Sequence, residues 1–363
     1  MVMKKFNIPL FISVILISLF GLLMVTSSSI IWAEYKFNDP YKYLKNQGIF
    51  LIVGLIIMII ISKINYKYYY DKANILLLGT LTLLILVLIP GIGTVRNGSR
   101  SWFGIGSFGI QPSEFSKLAL IIFTSKYLTK NERHLKDFKK GVIPILGITL
   151  LFFLVIMLQP DFGTGVVLVM IVIGLLFISG VDFKIFIKLG LVGVIGVVGL
   201  IIMAPYRLKR ILSFLDPWSD PLGSGFQIIQ SLYAIGPGGL FGFGLGNSRQ
   251  KHFYLPEPQT DFIFSIICEE FGFVGALIVV ILFLSIIILG FNIARKTSDN
   301  FGKYIAFGMT FWIAFQSILN LMVVVGLIPV TGVTLPFLSY GGSSLLINLC
   351  GIGIILNISR YNE

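Results

Sequence analysis

One pattern dominates this sequence: runs of predominantly apolar residues, each long enough for an α-helix to cross a bilayer, which takes about 20 residues. Ten such runs fall at roughly 9–32, 46–62, 73–90, 114–129, 142–159, 164–181, 184–204, 261–291, 303–327 and 337–358. They predict an all-α integral membrane protein of about ten transmembrane helices, with 1–363 as a single polytopic domain. Composition agrees. Only 12% of residues are charged, about half the share in a soluble domain, and mean hydropathy is +0.93. A water-soluble enzyme, a disordered chain and a disulfide scaffold are excluded. The net charge of +12 is scattered between the apolar runs, so it does not indicate nucleic acid. Cys268 and Cys350 lie inside apolar runs and are expected as free thiols. With His134 and His252 the only histidines, a zinc site of these residue types is not expected.

The run after MVMKKFN is too long for a signal-peptide core and is read as a retained first span. Orientation follows from basic residues, which favour cytoplasmic loops. With the N-terminus inside, cytoplasmic segments hold 17 of the 28 Lys and Arg residues, outer segments 10, and one span holds Lys117. The outer residues are spread over much more loop. Both termini are therefore expected in the cytoplasm, with a Gly-rich outer loop at 91–113 and a large, partly ordered outer segment at 205–260.

On that topology, charged residues gather at one depth. Glu114 and Lys117 open the fourth span three residues apart, on one helix face. Asp161 closes the fifth span and Asp261 opens the eighth. Ionisable residues within spans are costly and are functional candidates by default. Structural roles compete at each: an ion pair for Glu114 and Lys117, a helix terminator for Asp161, a helix cap with Thr260 for Asp261, an interface anchor for Trp102. Glu269 and Glu270 follow Asp261 by eight and nine residues. At 100° per residue Glu270 faces away from Asp261 and is read as pairing with another helix. Arg207, Lys209, Arg210, Arg249 and Lys251 either decorate a solvated surface or clamp phosphates. Ser343, in FLSYGGSSLL, caps a helix or helps bind an anion. Gln316 and Asn320, one turn apart, are read as interhelical hydrogen-bonding partners.

Four stretches carry a resemblance over nearly the whole chain: RNGSRSWFGIGSFGIQPSEFSKLA at 96–119, QPDFGTG at 159–165, the segment from 204 to 272 that includes GLGNSRQKHFYLPEPQTDFIF, and GLIPVTGVTLPFLSYGGSSLL at 326–346. They resemble the SEDS family (shape, elongation, division and sporulation proteins), in its FtsW and SpoVE branch rather than RodA. The resemblance implies a peptidoglycan glycosyltransferase, for division or spore cortex synthesis. Such enzymes polymerise lipid II, an undecaprenyl-pyrophosphate-linked disaccharide-pentapeptide, into a nascent β-1,4 glycan strand. They work at the outer face of the cytoplasmic membrane, amid membrane lipid, with a class B penicillin-binding protein as transpeptidase. Within the family, Asp261 matches the catalytic aspartate, and Trp102, Glu114, Lys117 and Asp161 match further family positions. An inverting transfer needs one general base, for which Asp261 is the candidate. Charge for the leaving pyrophosphate would come from Lys117, Arg207, Arg210 or a divalent cation, Mg2+ or Mn2+, held by Asp161 or Glu114. A lipid II flippase and a non-catalytic scaffold are the competing readings. A flippase would need polar groups along a full transmembrane path.

Overall fold

The computed structural model describes residues 6–96, 98–104, 109–135, 137–202 and 205–361, without the side chains of residues 197, 200–202 and 205–207. Each of the ten apolar runs is a helix: α1 (Ile8–Phe37), α2 (Lys42–Ile61), α3 (Tyr68–Leu86), α4 (Pro112–Lys130), α5 (Ile143–Met157), α6 (Phe162–Ile178), α7 (Phe183–Ile202), α10 (Ile263–Lys296), α11 (Asn300–Val324) and α12 (Gly342–Ser359). Two more, α8 (Pro205–Leu215) and α9 (Phe226–Ile235), belong to the 205–260 segment, which is partly ordered as expected. Among the described residues, seven helices are long and apolar enough to cross a membrane, and α6 is a shorter apolar one.

Local chemistry sets the helix ends. Asn7 caps α1 by accepting from the Leu10 N–H at 3.0 Å. Asp299 caps α11 by accepting from the Gly302 N–H at 2.9 Å. Pro112 starts α4, where its missing N–H costs nothing. Among the boundaries that differ from the sequence reading, two bear on the site: α10 begins at Ile263, leaving Asp261 on the loop ahead of it, and α12 begins at Gly342 rather than near 337.

The centre of the bundle is α12, buried along nearly its whole length, with α11 and α4 beside it. Around them α2 packs on α12, α3 on α4, α6 on α11 and α5, and α1 on α10. The peripheral helices turn Ile, Leu and Val outward, as lipid-facing surfaces do, because hydrocarbon solvates them. The edge helix α7 is exposed along most of its length, and its main contact is α8.

The 205–260 segment is sutured to the bundle by a break in α10. Gly272 has φ +62 and ψ −154, so it interrupts the helix. A loop fills the break: Phe243 and Gly244 donate to the carbonyls of Glu269 and Glu270, each at 2.9 Å, and Phe273 and Val274 donate to Gly239 and Leu240 at 2.9 and 3.1 Å. Backbone groups freed within a membrane helix are tolerated only where protein re-satisfies them, and these four bonds do so. A Cβ on Gly272 would lie 2.5 Å from the Gly242 nitrogen, so side chain and conformation both demand glycine there. The half-helix Ile263–Phe271 is thereby held apart from the rest of α10, with Asp261 just before its start. Ser231 of α9 adds a second anchor, donating to the Val324 carbonyl at 2.7 Å.

A candidate active site around Asp261

Two layers of buried polar groups surround the place where α4, α10, α11 and α12 meet. In the first, Lys117 Nζ donates to Glu114 Oε1 at 2.7 Å and to Gln316 Oε1 at 3.0 Å, and lies 4.8 Å from the centre of the Trp312 ring. Lys117 is only 1% exposed. The indole of Trp312 donates to the same Gln316 oxygen at 2.7 Å, and the Gln316 amide donates to the Thr334 carbonyl at 2.9 Å. An ammonium has three donors, and here two hydrogen bonds and an aromatic face engage them. Lys117 is thus locked in a positioning network, which is the ion-pair reading of this motif. Glu114 Oε2 is buried without a hydrogen-bond partner.

In the second layer, one turn along α11, Asn320 Nδ2 donates to the backbone carbonyls of Asp261 and Val333 at 2.7 and 2.8 Å. Gln316 and Asn320 are therefore interhelical partners, and specific ones. Each grips the 325–341 segment, one also holding Lys117 and the other Asp261. The Asp261 carboxylate accepts from Thr260 Oγ1 at 3.0 Å. It does not cap α10, whose N-cap is Phe262 without a side-chain bond. Loss of solvent around Asp261 pushes its carboxyl above the usual carboxylate range, opposed by the Thr260 hydroxyl and, more weakly, by Arg210. Arg210, on α8, donates to the Val330 carbonyl at 3.2 Å. Arg207 is in the same helix, but its side chain lies outside the described residues.

Asp161 lies beyond the end of α5, which stops at Met157, and instead caps α6, accepting from the Thr164 N–H at 3.1 Å. Its other oxygen accepts from Gln111 Nε2 at 3.1 Å, and it lies within electrostatic reach of Glu114 and Lys117. Ser343 does not cap α12, whose N-cap is Gly341. Its hydroxyl accepts from the Gln111 N–H at 3.1 Å and donates to the Gly109 carbonyl at 3.0 Å, tying the Gly-rich loop to α12. That loop opens with a hairpin of β1 (Thr94–Arg96) and β2 (Ser99–Trp102), in which the Arg96 guanidinium lies 4.9 Å from the Trp102 ring centre.

The two glutamates after Asp261 serve the 246–254 loop. Glu270 faces away from Asp261 as the helical arithmetic requires, and its Oε1 accepts from Lys251 Nζ at 3.0 Å and its carboxylate from Ser27 of α1 at 2.7 Å. Lys251 is therefore buried and is no surface phosphate clamp: a carboxylate this deep requires a charged partner. Glu269 accepts the backbone N–H groups of Arg249 at 2.8 Å and Gln250 at 3.3 Å, and the Ser248 hydroxyl. Arg249 and Lys209 remain exposed, the former stacked 4.8 Å from the Phe243 ring centre.

The sequence reading thus finds Asp261, Glu114, Lys117, Asp161, Gln316 and Asn320. It misses Gln111, Trp312, Thr334 and Val333, whose parts depend on packing that no spacing reveals. No group of three or more His, Cys, Asp or Glu side chains suited to a metal occurs among the described residues. Glu114 is committed to Lys117, and Asp161 to Thr164 and Gln111. These residues do not make a metal cage by themselves.

Comparison with known proteins agrees with the geometry. Residues 8–363 match the profile of the FtsW, RodA and SpoVE family, described as cell cycle proteins. The chain is 52% identical over 357 residues to Stage V sporulation protein E of Bacillus subtilis (strain 168), covering 98% of each. It is 41% identical to a probable peptidoglycan glycosyltransferase FtsW of Geobacter sp. (strain M18), covering 95% of this chain and 94% of that one. Among solved structures it superposes on a chain of a peptidoglycan synthase complex, studied for coordination of polymerization and crosslinking, with a TM-score of 0.79 and 30% identity over 99% of each chain. The rod shape determining protein RodA of Thermus thermophilus gives a TM-score of 0.73 at 27% identity, over 98% of this chain and 97% of that one. With its full-length profile match and its spans, loops and Asp261 segment in place, the chain belongs to the FtsW, RodA and SpoVE family, the SEDS family of membrane proteins.

Proposed function

We propose that this protein is a peptidoglycan glycosyltransferase that polymerises lipid II at the outer face of the cytoplasmic membrane, alongside a class B penicillin-binding protein. The observation that carries the reading is Asp261: a carboxylate on a loop ahead of a broken helix, its backbone gripped by Asn320 and its oxygen bonded to Thr260. Identity of 52% to a sporulation protein and 41% to a probable FtsW glycosyltransferase supports the reaction class.

The donor is an α-linked glycosyl pyrophosphate and the product is β-linked, so the anomeric carbon inverts. The acceptor 4-hydroxyl attacks that carbon as the bond to the pyrophosphate oxygen breaks. Asp261 takes the hydroxyl proton, and a carboxyl raised above its ordinary value is a better base near neutral pH. The pyrophosphate leaves with the electron pair. Arg210, close enough to influence Asp261, supplies charge on that side of the site. A divalent cation brought by the pyrophosphate would neutralise the same charge, although the protein does not build a cage for it. Lys117 acts at one remove, holding Gln316 and the 325–341 segment in register with Asp261. Its burial and full engagement leave it no role as a carrier along a transmembrane path.

The test is purified protein in vesicles with lipid II, alone and with the transpeptidase. Glycan strands should form, and faster with the transpeptidase. Transbilayer movement of lipid II without any polymer would overturn the assignment.

A further inference from the structure

A second cavity, of about 690 Å³, lies between α9 and the 246–254 loop, and Asp261 is not among its lining residues. Its walls combine aromatic rings and amides: Tyr233, Tyr254 and His252 with Gln230, Asn247 and Gln250. Tyr233 and Tyr254 are each about half exposed, at 50% and 56%, so ring surface is free for contact. Trp218 meets Tyr233 edge-on at 5.8 Å, which extends the aromatic wall. The amide oxygen of Gln250, one of the lining residues, is buried and has no hydrogen-bond partner.

The floor of the cavity is preorganised. Glu269 and Glu270 take the backbone N–H groups of Ser248, Arg249 and Gln250, and the Lys251–Glu270 pair pins the next residue. Two buried carboxylates thus fix a loop whose residues line this cavity, while Asp261 does not. Rings with apolar faces beside amide donors and acceptors suit a sugar ring, which offers C–H groups on its faces and hydroxyls and N-acetyl amides at its edge. Arg249, in the same wall, adds guanidinium donors for the hydroxyl and amide oxygens of such a sugar. A purely apolar guest would leave the amides unpaired, and a free phosphate would make no use of the rings.

The geometry points to a saccharide subsite in this cavity that holds N-acetylated, β-1,4-linked sugar units of the glycan strand away from Asp261. The assignment rests on the glycosyltransferase reading for the origin of the strand, but not for its test.

The probe is chitotetraose, titrated by saturation-transfer NMR into the full-length protein in detergent, with maltotetraose as control. Wild type should bind chitotetraose saturably and maltotetraose at least tenfold more weakly. Tyr254→Ala and Asn247→Ala should each weaken chitotetraose binding roughly tenfold, and Asp261→Asn should leave it unchanged. In lipid II polymerisation the two loop variants should give shorter strands at an unaltered initial rate. Equal binding by wild type and both loop variants would overturn the subsite. So would absence of binding to wild type, and if the tyrosine variant then also lost the transpeptidase on co-purification, the face would be a protein interface. A protein that binds chitotetraose but does not polymerise lipid II would refute the proposed function and leave the subsite standing.

Discussion

Replacing Lys117 by methionine keeps most of the side-chain volume and deletes the ammonium. Lys117 is 1% exposed and Glu114 5% exposed, and Glu114 Oε2 already lacks a partner, so water cannot step in for the lost donor. Removing one member of a buried pair typically costs about 3–5 kcal/mol, because the other charge is left buried and unpaired. The double variant Glu114→Gln with Lys117→Met removes that charge as well and should recover at least about 2 kcal/mol of the loss. Thermal unfolding in detergent, read as the apparent midpoint, compares wild type, the two single variants and the double. Lys117→Met should unfold lowest and the double variant above it. Initial polymerisation rates on the same samples then separate roles. If Lys117 only positions Gln316 and the 325–341 segment, the double variant regains activity in step with stability. A Lys117→Met protein as stable as wild type, or a double variant no more stable than Lys117→Met, would refute the buried-pair account.

Other tests reach the remaining elements. Because the Asp261 carboxyl is held above its ordinary value and must be ionised to act, kcat/KM should fall as pH drops through a value above about 4. Thr260→Val removes a hydroxyl that favours ionisation, so it should move that acidic limb upward, and an unmoved limb would exclude this role for Asp261. Gly272→Ala should lower both unfolding temperature and polymerisation, because its Cβ meets backbone at 2.5 Å, whereas Gly193→Ala, with open space around it, should change neither. For topology, Leu222→Cys, at a site 88% exposed, should react with an impermeant thiol reagent added outside, and Arg133→Cys should not, since Cys268 and Cys350 are buried. The reverse labelling would invert the orientation.

The long elements were legible because apolarity is written into each run: all ten predicted runs are helices, and seven helices among the described residues are long and apolar enough to cross a membrane. The break in α10 was not: Gly272 looks like any glycine in an apolar run, and only the loop packed against it shows why the backbone departs from the helix. Within the site, spacing placed Glu114 and Lys117 on one face and turned Glu270 away from Asp261, because both arguments depend only on helix period. Lys251 was misread as a surface cation, since its partner Glu270 is 19 residues away and meets it only through the folded loop. Asn320 and Gln316 were placed between helices, but their grip on Val333 and Thr334 depends on a segment that folds back into the bundle, which no periodicity predicts. The caps expected at Thr260 and Ser343 failed because other acceptors take those hydroxyls: the nearby Glu257 carbonyl and Asp261 carboxylate for Thr260, and the distant Gly109 carbonyl for Ser343.

The central claim is that Asp261 is the general base, and its most direct test is the rate of lipid II polymerisation by Asp261→Asn against wild type, with the transpeptidase present. Asparagine keeps the shape and the backbone bond to Asn320 but cannot take the acceptor proton. The account predicts a loss of about 10²–10⁴-fold, with lipid II binding and apparent unfolding temperature close to wild type. Polymerisation by Asp261→Asn at near the wild-type rate would contradict it.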